Sequence, residues 1–256
     1  MYIIAEIGIN HNGNMVQAKE LISAAKTCGA DACKFQLYDP LKVFPEPGPL
    51  QEEALRCQLS KDNWLELVEH AGAIDMPISA SVFDTERLEW LAETDPPWYK
   101  VASRTFRNGV MTGMILRMAQ EQGKKAYVSL GLYENTVSGA ARIRRYASYE
   151  NAWWLQCVSR YPAVIESKDI ELMRVLVGDV GHGRTEAFYG RFVGFSDHTV
   201  GIAAALWAVA HGAKVIEKHF TLDKKMEGSD HACSADPGDL MLLRTLADEI
   251  AKIAAL

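Results

Sequence analysis

The chain has 256 residues, 48% of them hydrophobic and 23% charged, with a formal net charge of −6 at pH 7. This is the composition of an ordinary folded domain; it excludes the basic signature of a general nucleic-acid binder, and no apolar run reaches the ~18 residues of a membrane-spanning helix. Five scattered cysteines (Cys28, Cys33, Cys57, Cys157, Cys233) form no CxxC pair, so neither a zinc cluster nor a disulfide framework is expected, and a reducing, cytoplasmic setting is the simplest reading.

The opening MYIIAEIGIN has no basic n-region and no small-residue cleavage site, so Tyr2–Gly8 reads as a strand rather than a signal peptide. A helical pattern follows at Met15–Cys28, then an apolar run at Ala30–Gln36. The connection Leu37–Ser60 is long and carries Pro40, Pro45, Pro47 and Pro49. Beyond it the alternation continues through Asp62–Gly72, Pro77–Phe83, Thr85–Glu93, Trp98–Ser103, Val110–Gln122, Lys125–Leu130 and Thr136–Tyr146. It runs on through Ala152–Val158, Lys168–Val177, a second long connection at Gly178–Gly190, Arg191–Ser196, Val200–His211, Lys214–His219 and Gly238–Ala255. The apolar runs are short and continuous, as strands buried on both faces are. Gly29-Ala30 and Gly212-Ala213 each stand between a helix end and a new strand, where glycine accepts positive φ. Eight strands alternating with eight helices over about 250 residues close most economically as an α/β fold of the (β/α)8 TIM-barrel type, one domain over 1–256. An open doubly wound sheet is the alternative. In a barrel, Leu37–Ser60 lies on the C-terminal face, where active sites form, and Gly178–Gly190 on the opposite face.

Polar residues at strand ends would converge on one pocket. They are Glu6; Lys34 and Gln36; Ser81 and Asp84; Lys100, Ser103 and Arg104; Ser129; Ser159, Arg160 and Tyr161; Ser196, Asp197 and His198; and Glu217, Lys218 and His219. A buried Lys or Glu without a partner is costly, so such a set demands either a ligand or structural ion pairs, for instance Glu6 with Lys34. His198 and His219 end adjacent strands about 5 Å apart. They could share one divalent metal with open positions, or sit in two separate polar pockets. His11 is a further candidate. His70, His182 and His211 read as surface residues, and Cys157 and Trp153-Trp154 as core. Lys34, Lys100 and Lys218, with Ser103, Ser129 and Ser196, suit a phosphate or carboxylate ligand. No GxGxxG, GxxxxGK[ST] or GxSxG pattern occurs, so neither a nucleotide loop nor a serine-hydrolase elbow is indicated.

Seven stretches in order carry a resemblance. They are AEIGINHNG (Ala5–Gly13), GADACKFQ (Gly29–Gln36), YKVAS (Tyr99–Ser103), QCVSRYP (Gln156–Pro162), GFSDHT (Gly194–Thr199), IEKHFTLD (Ile216–Asp223) and GSDHACS (Gly228–Ser234). From Ile3 to about Leu246 the sequence resembles the sialic acid synthase (N-acetylneuraminate synthase) family. The resemblance implies a barrel that condenses phosphoenolpyruvate with an open-chain amino-sugar aldehyde, N-acetylmannosamine-like, to a nonulosonic 2-keto acid and phosphate. It implies a divalent metal on His198 and His219, with manganese expected and magnesium or cobalt as alternatives. It places Lys34, Lys100, Ser103, Ser129, Ser159 and Ser196 around phosphoenolpyruvate, and Gln36, Tyr161 and Asp230 toward the sugar. Glu6 also faces the sugar and is the candidate for proton transfer. A homodimer is expected, with no nucleic-acid or membrane partner.

The sequence departs from the family pattern at several points. Ser103-Arg104-Thr105 replaces a Ser-Gly-acid order, Ser129-Leu130-Gly131-Leu132 replaces STGM, and Ser81-Val82-Phe83 replaces TPF. The family's C-terminal antifreeze-like domain is expected to be absent, leaving the barrel alone. Arg104 brings a cation to the acceptor side, where it could recognise an acidic or phosphorylated acceptor, point to solvent, or pair with Asp84. Two other readings stay open: the same donor with another aldose or sugar-phosphate acceptor, and a catalytically silent, ligand-binding barrel.

Overall fold

A computed structural model describes residues 1–131, 143–146, 148–166 and 191–253. The helix expected at Lys168–Val177, the connection Gly178–Gly190, His182, Leu132 and the first part of Thr136–Tyr146 lie outside the described residues; 143–146 are helical. Eight parallel strands close into a barrel in sequence order. They are β1 (Tyr2–Gly8), β2 (Ala32–Leu37), β3 (Ile78–Val82), β4 (Trp98–Val101), β5 (Lys125–Ser129), β6 (Ala152–Cys157), β7 (Phe192–Asp197) and β8 (Val215–His219). Pairing of β1 with β8, Glu6 opposite His219, completes the ring. The barrel reading therefore holds, and the open sheet does not.

Helices lie between the strands: α1 (Met15–Thr27), α4 (Lys61–Ala73), α5 (Thr85–Glu93), α7 (Gly109–Glu121), α8 (Ala203–Ala210) and α9 (Pro237–Ile253). Their starts follow from side chains that accept orphan backbone N–H groups: Asn14 before α1, Ser60 with Asn63 at α4, Asp84 before α5, Asn108 before α7. Gly29 and Gly212 take φ of +90° and +95°, as expected of helix-ending glycines. Three further short helices were not expected. Leu37–Ser60 is not plain loop but holds α2 (Pro40–Val43) and α3 (Pro49–Arg56), each opened by a proline at its first turn. The third, α6 (Ser103–Phe106), follows β4.

Two apolar regions support the barrel. The larger lies between strands and helices and includes Leu21, Phe35, Trp64, Tyr99, Phe106, Trp154 and Leu243. The smaller fills the barrel's interior with Ile4, Ala32, Trp98, Tyr127, Leu155, Val193 and Val215. Side chains alternate along a strand, so the next inward positions are Glu6, Lys34, Lys100, Ser129, Cys157 and Glu217. The apolar plug thus ends where charge begins, and that boundary is the floor of the site.

Candidate active site

The floor is an ion-pair network. Lys34 Nζ lies 2.6 Å from Glu6 Oε2 and 3.8 Å from Glu217 Oε2, and it donates to Ser81 Oγ at 2.9 Å. Lys100 Nζ lies 3.1 Å from Glu217 Oε1 and donates to Ser129 Oγ at 2.8 Å. Ser196 Oγ donates to Glu217 Oε1 at 2.7 Å. All four charged residues are buried. Burial raises the Glu6 carboxyl to about 7, with Glu217 adding repulsion and Lys34 opposing it. Glu217 is itself penalised by burial, but Lys100 and Lys34 outweigh this and hold it down at about 2. Burial pulls Lys100 below the usual ammonium range, while at Lys34 the attraction of Glu217 and Glu6 more than offsets burial. Two cations and two anions share the floor, so the expected Glu6–Lys34 pair is present but belongs to a larger set.

Above the floor stand the two histidines, ring centroids 5.4 Å apart. His198 Nδ1 lies 2.8 Å from the Val158 carbonyl, and its Nε2 lies 3.0 Å from Tyr161 Oη. An imidazole anchored through one nitrogen to a carbonyl, with the other beside a cavity-lining tyrosine hydroxyl, is oriented as metal-binding histidines are. His219 Nδ1 is buried without a hydrogen-bond partner, 3.5 Å from Asp230 Oδ2. Burial and the adjacent His198 hold His219 well below its ordinary value, hence neutral. Burial lowers His198 too, but Cys157, Val158 and Glu217 outweigh it and keep it up at about 9, so a cation competes with a proton there. An orphaned buried nitrogen beside a second, oriented imidazole fits a divalent ion. Among the described residues no group of three or more His, Cys, Asp or Glu is arranged to hold a metal. An ion held by His198 and His219 would keep open positions.

One cavity of about 510 Å³ takes in every residue that the family resemblance assigned, and Arg104: Glu6, Lys34, Gln36, Lys100, Ser103, Arg104, Ser129, Ser159, Tyr161, Ser196, His198, His219 and Asp230. Gln36 Nε2 donates to Glu6 Oε1 at 3.0 Å, fixing that carboxylate toward the cavity. Ser103 Oγ accepts from the Gly131 N–H at 3.0 Å. A Cβ on Gly131 would stand 2.3 Å from Ser159 Oγ and 3.0 Å from Cys157 Sγ, so only glycine fits among these walls. Burial raises Asp230 to about 6, with His198 opposing.

Several expectations are corrected by the geometry. Lys218 does not face the cavity: it alternates outward, 3.1 Å from the equally buried Asp197, and donates to the Thr199 carbonyl. Asp197 faces outward with it, and Asp84 caps α5 and contacts Arg87. Arg160 turns to Glu166. His11 is a buried brace, its Nδ1 accepting from the Gly13 N–H. Arg104 neither points freely to solvent nor pairs with Asp84: it donates to the Val43 carbonyl and lies 4.9 Å over the Phe44 ring. Thr105 is buried and does not line the cavity. Cys157, read as core, is buried but lines the cavity, 3.7 Å from His198 Nδ1. Glu217 was visible only as a strand-end residue; its spacing two before His219 puts it on the same inward face. The segment after β2 adds Phe44, Leu50 and Glu53, which no strand-end argument could have found.

Residues of the opening and closing motifs meet outside the cavity. Asn10 Nδ2 donates to the Phe220 carbonyl and to Ser234 Oγ, and Ser234 Oγ donates to the Asp230 carbonyl. Asn12 reaches the Glu227 carbonyl and His231. These contacts hold the loop that presents Asp230.

A closed parallel barrel with its charged cavity at the C-terminal ends of the strands is the arrangement on which barrel enzymes build their active sites. Residues 21–255 match the NeuB family, and the chain belongs to that family. It is 36% identical over 238 residues to an uncharacterized protein of Methanocaldococcus jannaschii, covering 92% of this chain and 66% of that one. It is 34% identical over 253 residues to the N-acetylneuraminate-9-phosphate synthase of Homo sapiens, covering 93% of this chain and 67% of that one. The chain thus spans about two thirds of the length of these relatives. Among solved structures it is similar to the N-acetylneuraminic acid (sialic acid) synthetase of Leptospira borgpetersenii, determined in complex with citrate. The TM-score is 0.83 at 29% identity, over 100% of this chain and 85% of that one.

Proposed function

We propose that this barrel joins phosphoenolpyruvate to the aldehyde carbon of an amino sugar, releasing phosphate and a nonulosonic 2-keto acid. The observation that carries the reading is one cavity with a two-lysine floor and two histidines directly above it. Family membership and the printed names of the human and leptospiral relatives support it. Those names differ in whether the product carries a phosphate, so they leave the acceptor open.

Lys34 and Lys100, with the hydroxyls of Ser103, Ser129, Ser159 and Ser196, take the phosphate and carboxylate of the donor through charge-assisted hydrogen bonds. Gln36, Tyr161 and Asp230 take the acceptor's hydroxyls and hold its aldehyde over C3 of the donor. That C3 attacks the aldehyde carbon and forms the C–C bond, and the acceptor oxygen gains a proton. Glu6, with its carboxyl poised at about 7, is the group that exchanges that proton. Water adds to C2, and the C2–O bond to phosphate then breaks to leave the ketone. His198 and His219 would hold a divalent ion, manganese before magnesium or cobalt, which supplies Lewis-acid polarisation of the aldehyde oxygen.

The test is phosphate release from phosphoenolpyruvate, measured with and without manganese and with and without N-acetylmannosamine. Release is expected to need both, and His219→Ala is expected to abolish it while keeping the folded far-UV spectrum. Full activity of His219→Ala after chelation, or release without any aldehyde, contradicts the reading.

A further inference from the structure

Behind the two histidines, on the outward faces of β7 and β8, lies an ion pair that the cavity does not use. Asp197 and Lys218 stand opposite each other in the register of the two strands, with Lys218 Nζ 3.1 Å from Asp197 Oδ2. Both side chains are completely buried. Phe195 and Ile216, two residues earlier on the same faces, belong to the apolar layer between strands and helices. A pair so placed is a weak source of stability. Its attraction does little more than offset the cost of taking two charges out of water, and apolar residues of similar volume hold a core as well.

What apolar residues cannot supply is the second set of contacts. Asp197 Oδ1 accepts the Thr199 N–H at 2.8 Å, and Lys218 Nζ donates to the Thr199 carbonyl. The first contact joins a carboxylate to the N–H two residues on, a turn that closes around the residue between them. That residue is His198, whose own carbonyl accepts the Ala163 N–H at 2.8 Å. Thr199 is therefore held at both its N–H and its carbonyl, and the chain leaving β7 is fastened to Lys218, the neighbour of His219. The ladder between β7 and β8 ends at Asp197 and Lys218. Both imidazoles lie one residue beyond it, where side-chain contacts rather than ladder bonds join the two strand ends.

We infer that Asp197 and Lys218 are positioning residues for the metal site: by clamping Thr199 they fix the backbone of His198 and hold its imidazole beside that of His219. This rests on the reading that His198 and His219 hold a divalent ion. Neither Asp197 nor Lys218 touches the ion or a substrate.

The test separates the clamp from the charge. D197N keeps an acceptor for the Thr199 N–H and D197A does not, while both leave Lys218 equally without its counter-charge. Manganese is titrated into the full chain, with the free ion read by electron paramagnetic resonance, and phosphoenolpyruvate affinity is read by calorimetry without manganese. D197A is expected to bind manganese about tenfold or more weakly than the unaltered protein, and D197N within about threefold of it. Phosphoenolpyruvate affinity should stay within about twofold in both, and saturating manganese should return kcat of D197A to within about twofold. Should D197A fail to fold, D197N/K218M, which buries no unpaired charge, is compared with D197N. Loss of the donor to the Thr199 carbonyl should then weaken manganese binding about threefold or more. Equal manganese affinities in D197A and D197N, or in D197N and D197N/K218M where D197A does not fold, overturn the inference and spare the metal reading. Parallel loss of manganese and phosphoenolpyruvate affinity overturns it too, since the pair would then only support the fold. An unaltered protein that binds no manganese overturns the metal reading, and this inference with it.

Discussion

Lys100 is buried beneath the cavity with Glu217 and Ser129 as its partners. On the proposed reading, Lys100→Met removes a cation from the donor site and leaves Glu217 with Lys34 and Ser196. Loss of a charge-assisted contact of about 1.5–3 kcal/mol weakens donor binding about 10- to 100-fold. Titration of phosphoenolpyruvate should show that loss, with acceptor affinity unchanged; unchanged donor affinity refutes the role. Glu6 gives a pH signature. Its carboxyl moves from 4.5 to about 7 on folding. A raised carboxyl pKa means that the stability it contributes is full below 4.5 and is lost as the pH climbs through 7. Glu6→Gln keeps the neutral form at every pH. It should therefore gain on the unaltered protein between pH 4.5 and 7, by up to about 3 kcal/mol. Denaturant melts at pH 5 and pH 8 check this, and a constant difference between the two proteins contradicts it. Most of these residues were legible because the inward face of a strand repeats every second residue. The same period separates His219 and Glu217 from Lys218, whose charge suggested a cavity role that its parity forbids. Cys157 is buried as expected, but its place on the cavity wall gave no chemical cue in a small apolar-looking residue, though it stands two before Ser159.

At the level of elements, the β8 loop owes its shape to the first βα turn. Asn10 is buried and donates to both the Phe220 carbonyl and Ser234 Oγ. Asn10→Ala leaves both acceptors short and should cost about 1–3 kcal/mol. The Asp230 loop would then be less fixed, so acceptor KM should rise more than donor KM. Thermal melts and steady-state kinetics test the two halves, and equal rises in both KM values would detach Asn10 from the acceptor side. The strands and long helices were legible from continuous apolar runs and from caps such as Asn14 and Asp84. The short helices were not. Asp39-Pro40 and Gly48-Pro49 carry a helix-opening signal, but pieces of four and eight residues show too little periodicity to stand out from a proline-rich loop. Those pieces bring Phe44 and Glu53 to the cavity, so the acceptor side was the less readable half.

An apolar plug, a charge-balanced floor and a pair of imidazoles follow one another toward the C-terminal ends of the strands. Trp98 and Tyr127 pack edge to face in the plug with centroids 5.5 Å apart, and the inward positions two residues on are Lys100 and Ser129. The plug fills the barrel interior beneath the cavity. Ring closure was inferred from the count of alternating elements, and pairing of β1 with β8 realises it. The family motifs pointed to the donor half through residues on strands. They could not foretell that Arg104 would be anchored to the Val43 carbonyl, because that depends on α2 and α6 forming. The most direct test of the account uses phosphoenolpyruvate labelled with ¹⁸O at the bridging oxygen, incubated with manganese and the acceptor. Condensation with C2–O cleavage predicts that the label leaves in the phosphate and that a product appears with the combined mass of donor, acceptor and water less phosphoric acid. Label retained in pyruvate, with no joined product, would contradict it.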